Sequence, residues 1–190
     1  MTGGVQDHEV VSIYPLDADQ LEKLLTTQNE LVFNWATSDS WPVGVIHSFV
    51  WKDGRIWVTC AAHRHRVAAV RRNPKVSVVV TSTGTAIGPG KSVTIKGRCV
   101  IPEDPETKQW FYHDLAYKGL KGDAAADFEA RLHSPLRVVL EVIPEKWITF
   151  DGAKFAADTA GVLPEQKKGP RLESDTLRLA RELRSRGIAR

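Results

Sequence analysis

Cysteine is scarce in this chain: Cys60 and Cys99 are the two among 190 residues. Both fall inside predicted strands, so they read as buried thiols, and no disulfide framework is expected. Long apolar runs are missing as well. No stretch approaches the roughly 18 apolar residues of a membrane span, so no membrane partner is expected. The opening residues, MTGGVQDHEVV, hold neither a basic start nor an apolar run, and no secretory signal is expected there. A cytoplasmic location is the default that follows. A Ser-His-Asp or Cys-His signature is absent, and so are internal repeats. The glycine-rich stretch from Thr81 to Gly90 lacks the spacing of a P-loop and reads as a hairpin connection. His63 and His65 alternate as a metal pair could. Their flanking arginines would repel a cation, and no carboxylate or cysteine stands at zinc-ligand spacing, so no metal is expected.

Charge is thinly and unevenly spread. The net formal charge is +3. Residues 164–190 hold eight Lys/Arg against four acids, giving +4 there and −1 over residues 1–163. A nucleic-acid reading would therefore rest on the tail alone, and nucleic acid is not expected as a partner.

What is present concentrates between Trp51 and Pro74. Lys52-Asp53-Gly54 is a hairpin turn, because glycine takes positive φ readily. Ile56 to Cys60 is rich in β-formers. His63, Arg64, His65 and Arg66 follow in a row. Val67 to Val70 suit a packed helix, Arg71 and Arg72 complement its C-terminal dipole, and Asn73-Pro74 ends it. A basic cluster between a strand end and a helix start suits a bound phosphate, since free helix N–H groups and cationic side chains converge there.

Around this segment the chain punctuates itself. Residues 1–14 read as a loose arm, and Asp17 can cap a helix running to about Gln28. Strands are predicted at Leu31–Thr37, Val43–Trp51, Ile56–Cys60, Val76–Thr81, Ser92–Val100 and Arg137–Ile143, with Trp147–Phe150 running into an Asp151-Gly152 turn. Helices are predicted from Pro105 and over Asp123–Leu132. A linker is predicted from about Thr159 to Pro170, with a last basic helix from Ser174 or Asp175. Trp35, Trp51 and Trp57 read as barrel or interface fillers. Trp110, Phe111 and Tyr112 occupy consecutive helical positions, so at least one is expected at a subunit interface or pocket rim. Short turns between strands with a few helices indicate a small β-barrel with α additions.

The order of these pieces resembles the pyridoxamine 5′-phosphate oxidase-like family, the flavin-binding split barrels. The resemblance covers roughly residues 30–152. It rests on Ala36-Thr37-x-Asp39-x-x-Pro42, Asp53-Gly54-x-Ile56-x-Val58-Thr59 and the basic loop to Arg71-Arg72-Asn73-Pro74-x-Val76. Val93-x-Ile95-x-Gly97 and Val138-x-Leu140-x-Val142-x-Pro144 through Phe150-Asp151-Gly152 complete it. The resemblance implies a mainly β fold with α additions, a six-stranded antiparallel split β-barrel with peripheral helices. Residues 1–14 would be an arm, 15–158 the flavin-binding domain, and 159–190 a linker and basic C-terminal helix.

It also implies a function: a homodimer holding FMN, or alternatively the deazaflavin F420, between subunits, with hydride transfer to or from a small-molecule substrate. A non-catalytic flavin- or haem-binding module is the alternative class. The implied cofactor contacts are Val45, Ile46, His47 and Ser48 on the second strand, and Thr59 and Cys60 at the third strand's end. Arg64, His65 and Arg66 follow in the loop, then Lys91, Ser92 and the late aromatic Phe150. Arg64 departs from the small residue usual at its position, and Arg66 from the usual lysine. The late arginine and histidine that hold substrate in true pyridoxamine-phosphate oxidases are not evident after Gly152, so vitamin B6 oxidation is not expected. His47 on its own reads equally as a flavin contact or a core histidine.

Overall fold

The computed structural model describes residue 7 and residues 9–188. Of the expected arm, residues 1–6 and 8 lie outside the described residues. Helix α1 (Ala18–Thr27) opens at Asp17, whose N–H donates to Gln20 Oε1 at 3.1 Å, and buries Leu24 and Leu25. Strands β1 (Glu30–Ala36), β2 (Pro42–Ser48), β3 (Val50–Lys52) and β4 (Arg55–Ala61) follow, then helix α2 (His65–Arg72). Strands β5 (Lys75–Thr81) and β6 (Lys91–Val100) precede α3 (Pro105–Gly119) and α4 (Gly122–Leu132). The chain ends with β7 (Arg137–Asp151), α5 (Gly152–Thr159) and α6 (Glu173–Ser185).

All pairings are antiparallel in one curled sheet of order β2-β1-β5-β6-β7-β4-β3, half of a split barrel. The sheet has seven strands where six were expected, because the predicted second strand breaks at Phe49. That residue is fully buried, and its N–H turns to Asn29 O. At the other end two predicted pieces fuse: β7 runs 15 residues without a break. It pairs with β4 over Arg137–Val142 and with β6 over Glu141–Asp151.

The curl has a local cause. Between Lys96 and Gly97 the β6–β7 register slips, so that Lys96 faces Lys146 while Gly97 faces Pro144. Proline has no N–H to give the ladder, and a bulge accommodates it while bending the strand. Gly97 lies so close to β7 that a Cβ there would stand 2.3 Å from Ile143 O and 3.2 Å from Val142 Cγ1.

Inside the curl Leu31, Phe33, Ile56, Val58, Val78, Val93, Ile95 and Leu140 form the main core. Cys60 and Cys99 are free and buried within it, as expected. A second cluster lies on the outer side of β4 and β7, where α3 and α4 cover Trp57 and Val139 with Phe111, Tyr112, Leu115 and Leu132. Phe111 and Tyr112 both sit inside this cluster. Half-buried Trp110 stands at its rim, edge-on to Trp57 at 4.9 Å and under Lys52 at 4.2 Å. Lys118 anchors α3 to the barrel: its Nζ donates to Gln28 O at 2.6 Å and to Phe49 O at 3.0 Å. Burial lowers its pKa to about 8.

Two expectations about chain ends are corrected. The arm is bound at its C-terminal end, not loose: Ile13 O accepts from Gly169 N, Tyr14 O accepts from Asp151 N, and Tyr14 donates its hydroxyl to Asp158 at 2.6 Å. The chain from Gly152 is helix α5 rather than a turn, because the Asp151 carboxylate caps it by accepting from Ala153 N at 2.9 Å. Buried Lys154 of α5 reaches back to Pro15 O and Asp17 Oδ1 at 2.7 and 2.9 Å.

The bulge yields a stability test. Replacing Gly97 by Ala forces β7 backbone to move and should lower unfolding free energy by about 2–4 kcal/mol in urea titrations. Gly119→Ala, where a Cβ meets nothing within 4 Å, should change it little. Equal effects at the two positions would refute the bulge as the tight point of the curl.

Candidate functional site

The loop from Ala61 to Arg64 is short and tightly closed, with Arg64 N donating to Ala61 O at 3.0 Å. Arg64 then sits at the N-cap of α2. No side chain caps this end, and no acidic residue lies in the first turn. An uncapped helix start presents free N–H groups and a partial positive charge. Here it is surrounded by more positive charge, from exposed Arg64 and His65 and half-buried Arg66. Arg64 and Arg66 form no ion pair among the described residues. Such an arrangement suits an anion.

The interior wall beside it is under-satisfied as well. Arg66 Cζ lies 5.9 Å from the ring of Trp35, on β1. Buried Arg66 Nε, Trp35 Nε1 and His47 Nε2 all lack hydrogen-bond partners among the described residues. His47 faces inward from β2, edge-on to Phe33 at 6.0 Å, which in turn lies 6.1 Å from Trp35. Burial, reinforced by the Arg66 charge, lowers the His47 pKa to about 4, so the ring is neutral near pH 7. Burial likewise pushes the Cys60 thiol up, against the pull of Arg66, Arg137 and Arg64. Cys60 is thus an inert neighbour at neutral pH. A cleft of about 540 Å³ opens between α2 and the β1–β2 end, lined by Trp35, Thr37, Val43, His65, Ala69 and Arg72. That volume is in the range of cofactor and ligand pockets.

The structure brings some of the expected site residues together and separates others. Arg64, His65, Arg66, Cys60 and His47 gather at the α2 end of the barrel, with half-buried Val45 inward on the same strand. Ile46 and Ser48 alternate to the outer face of β2, and both are exposed. Thr59 turns away beneath α3 and α4, its hydroxyl donating to Val138 O at 2.7 Å. Lys91, Ser92 and Phe150 lie at the opposite end of the β6–β7 ladder from Cys99. Lys91 approaches the buried Asp151 carboxylate at 3.5 Å, and Phe150 pairs across from Ser92. Sequence reasoning missed two residues of the α2 end. Arg137 arrives opposite Ala61 through the β4–β7 register, and Trp35 supplies an unpartnered donor. No local motif marks either one.

The outer sheet face carries a row in strict register. Ile46 pairs with Val32, Val32 with Val79, Val79 with Thr94, and Thr94 with Ile148. Ile46 is 68% exposed and Ile148 47%. Among the described residues no helix is long and apolar enough to cross a membrane, and no cluster of His, Cys, Asp or Glu could hold a metal ion.

His47 gives a pH signature. Its folded pKa lies below the ordinary 6.5, so the unfolded chain takes up the proton first as pH falls. Stability is fully present above pH 6.5 and is lost from there toward pH 4. After allowance for solvent screening, about 1 kcal/mol should go between pH 7 and 5. His47→Phe should flatten that decline in urea midpoints. An unchanged slope would show that His47 does not titrate as a buried ring.

Comparison with known proteins places this geometry. No curated protein matches the chain. Among solved structures, the conserved hypothetical protein Rv2991 from Mycobacterium tuberculosis superposes with a TM-score of 0.65 at 17% identity, covering 80% of this chain and 93% of that one. An F420 reductase gives 0.51 at 20%, over 66% and 94%. A FAD-binding protein from Mesorhizobium loti gives 0.51 at 21%, over 72% and 96%. At these identities the likeness is one of fold. The sequence model of the pyridoxamine 5′-phosphate oxidase family matches residues 18–151, so the uncapped α2 end and the curled sheet around it are those of a chain that belongs to the pyridoxamine 5′-phosphate oxidase family.

Proposed function

We propose that this protein is a flavin-dependent oxidoreductase that binds FMN in a cleft shared by two copies of the chain and acts on a small-molecule substrate. The observation that carries the reading is the α2 start: free helix N–H groups and two arginines with no carboxylate partner among the described residues. A cofactor phosphate would accept from Arg64, Arg66 and the helix N–H groups. Trp35, whose buried Nε1 lacks a partner among the described residues, lines the adjoining cleft of about 540 Å³. When bound, such a cofactor supplies hydride transfer, and the protein's task is to bind, orient and exclude water.

Sharing between two copies is supported by two features. The basic end and the Lys91–Ser92–Phe150 end stand at opposite ends of one chain's sheet. A two-fold axis can set the first end of one copy against the second end of another. The Ile46–Val32–Val79–Thr94–Ile148 row offers an apolar, self-complementary face for that axis.

F420 is the second reading. Arg137 adds a third guanidinium near Cys60, more cationic surface than one phosphate requires. One structural relative is an F420 reductase.

Titrating the purified protein with FMN and with F420 in parallel tests the cofactor. Tight binding of either fixes the class, and binding of neither refutes the proposal. Replacing Arg64 and Arg66 by Ala should weaken binding by roughly 1.5–3 kcal/mol per arginine. Undiminished affinity would remove the phosphate assignment. A cofactor that binds and reduces without turning over any donor would mark a carrier rather than an enzyme.

A further inference from the structure

The outward face of the sheet changes character two residues along each strand from the apolar row. There the register sets Asn34 opposite Ser77, Ser77 opposite Lys96, and Lys96 opposite Lys146. Lys75 stands opposite Arg98 on the same face. All four cationic side chains are exposed. Opposed side chains in a ladder lie about 4.5–5.5 Å apart and diagonal ones about 7–8 Å, and like charges directly opposite destabilise a sheet. Lys96 meets Lys146 in this way, and Lys75 meets Arg98.

One acid stands among these cations. The β6–β7 slip leaves Glu145 without a ladder partner, and its carboxylate accepts from Arg98 Nε at 2.7 Å. Lys75, Lys96 and Lys146 make no ion pair among the described residues, which include every acidic side chain of the chain.

The charges border a cleft. Strands β1 and β5 pair only over Val32–Asn34 and Ser77–Val79. Beyond Asn34 they part, and Ala36 O accepts from Arg72 Nη2 at 2.9 Å. The opening holds about 360 Å³ at the margin of the outward face, by the β1–β2 turn. Lys75, Lys96 and Ser77 bring polar groups to it, and Val76 and Pro42 bring apolar surface. Glu145 borders it too, held in its pair with Arg98. Trp41, between the lining residues Ser40 and Pro42, is 69% exposed. Neither Arg64 nor Arg66 lines this cleft.

We propose that the cleft between β1 and β5 binds a diphosphate group, held by Lys75, Lys96 and Lys146. Lysine binds phosphate as a point charge, and a diphosphate sets several negative charges within the reach of these three. It would also relieve the repulsion between Lys96 and Lys146. The diphosphate is either free or carried by a nucleotide whose base lies on Trp41. The inference stands apart from the cofactor and dimer readings.

Pyrophosphate would also meet the α2 start, so calorimetric titrations use the full chain carrying Arg64→Ala and Arg66→Ala. Inorganic pyrophosphate and ADP should each bind at least about tenfold tighter than sulfate at equal ionic strength. Adding Lys75→Ala and Lys96→Ala should weaken both at least about tenfold. Lys96→Gln alone removes a like-charge contact. The free variant should melt no lower than its parent, yet lose the rise in melting temperature that pyrophosphate gives the parent. A purely structural lysine would instead lower the melting of the free protein. An ADP advantage over pyrophosphate that Trp41→Ala removes identifies a nucleotide, and equal affinities identify free diphosphate. Binding no tighter than that of sulfate, or undiminished by the lysine substitutions, would overturn the site.

Discussion

A sheet of seven strands has to bend around a core one side chain deep, and here the bend is carried by one strand. β7 supplies partners to β6 along its second half and to β4 along its first, so it holds both halves of the curl in register. It can turn only because Pro144 removes one ladder donor and Gly97 opposite has no side chain to obstruct the slip. Everything placed at the two ends of the barrel inherits its position from that turn. The Arg137 end is set beside Cys60 and the α2 loop, and the Asp151 end beside Lys91 and the chain's own arm.

At the α2 end, packing and electrostatics pull in different directions. The core gains Phe33, Trp35 and His47 as buried walls. It leaves three buried polar atoms without partners and sets guanidinium groups against a positive helix terminus. Buried polar groups without partners destabilise a fold by a few kcal/mol each unless something else satisfies them. A ligand that bound in the adjoining cleft, which Trp35 lines, would stabilise the fold.

The parts of this architecture legible in the sequence are those encoded locally. Runs of strand-forming residues revealed β1 and β5, alternation revealed β6, and the Asp17 and Pro105 signals marked α1 and α3. Arg64 and Arg66 were legible because their strand, loop and helix are contiguous. What escaped depends on distant chain. Phe49 is a good strand former, and the break there reflects its placement beside Asn29 and Lys118. Thr59 and Cys60 read as one strand-end pair, yet α3 and α4 bury the outer face of β4, and Thr59 belongs to that side. Trp35 and Arg137 join the site through register across the sheet, which no spacing of residues announces.

The binding of the arm to the far end of the chain also orders events in time. Tyr14 and Asp158 are 144 positions apart, and Lys154 reaches Pro15 across 139. Closing loops of that length is entropically slow relative to forming local hairpins. During synthesis from the N-terminus, residues 11–17 therefore have no seat until β7 and α5 exist. A segment made before the sheet is thus secured only after it, and the barrel's near-complete sheet must persist with one end still open while its fastening is being made.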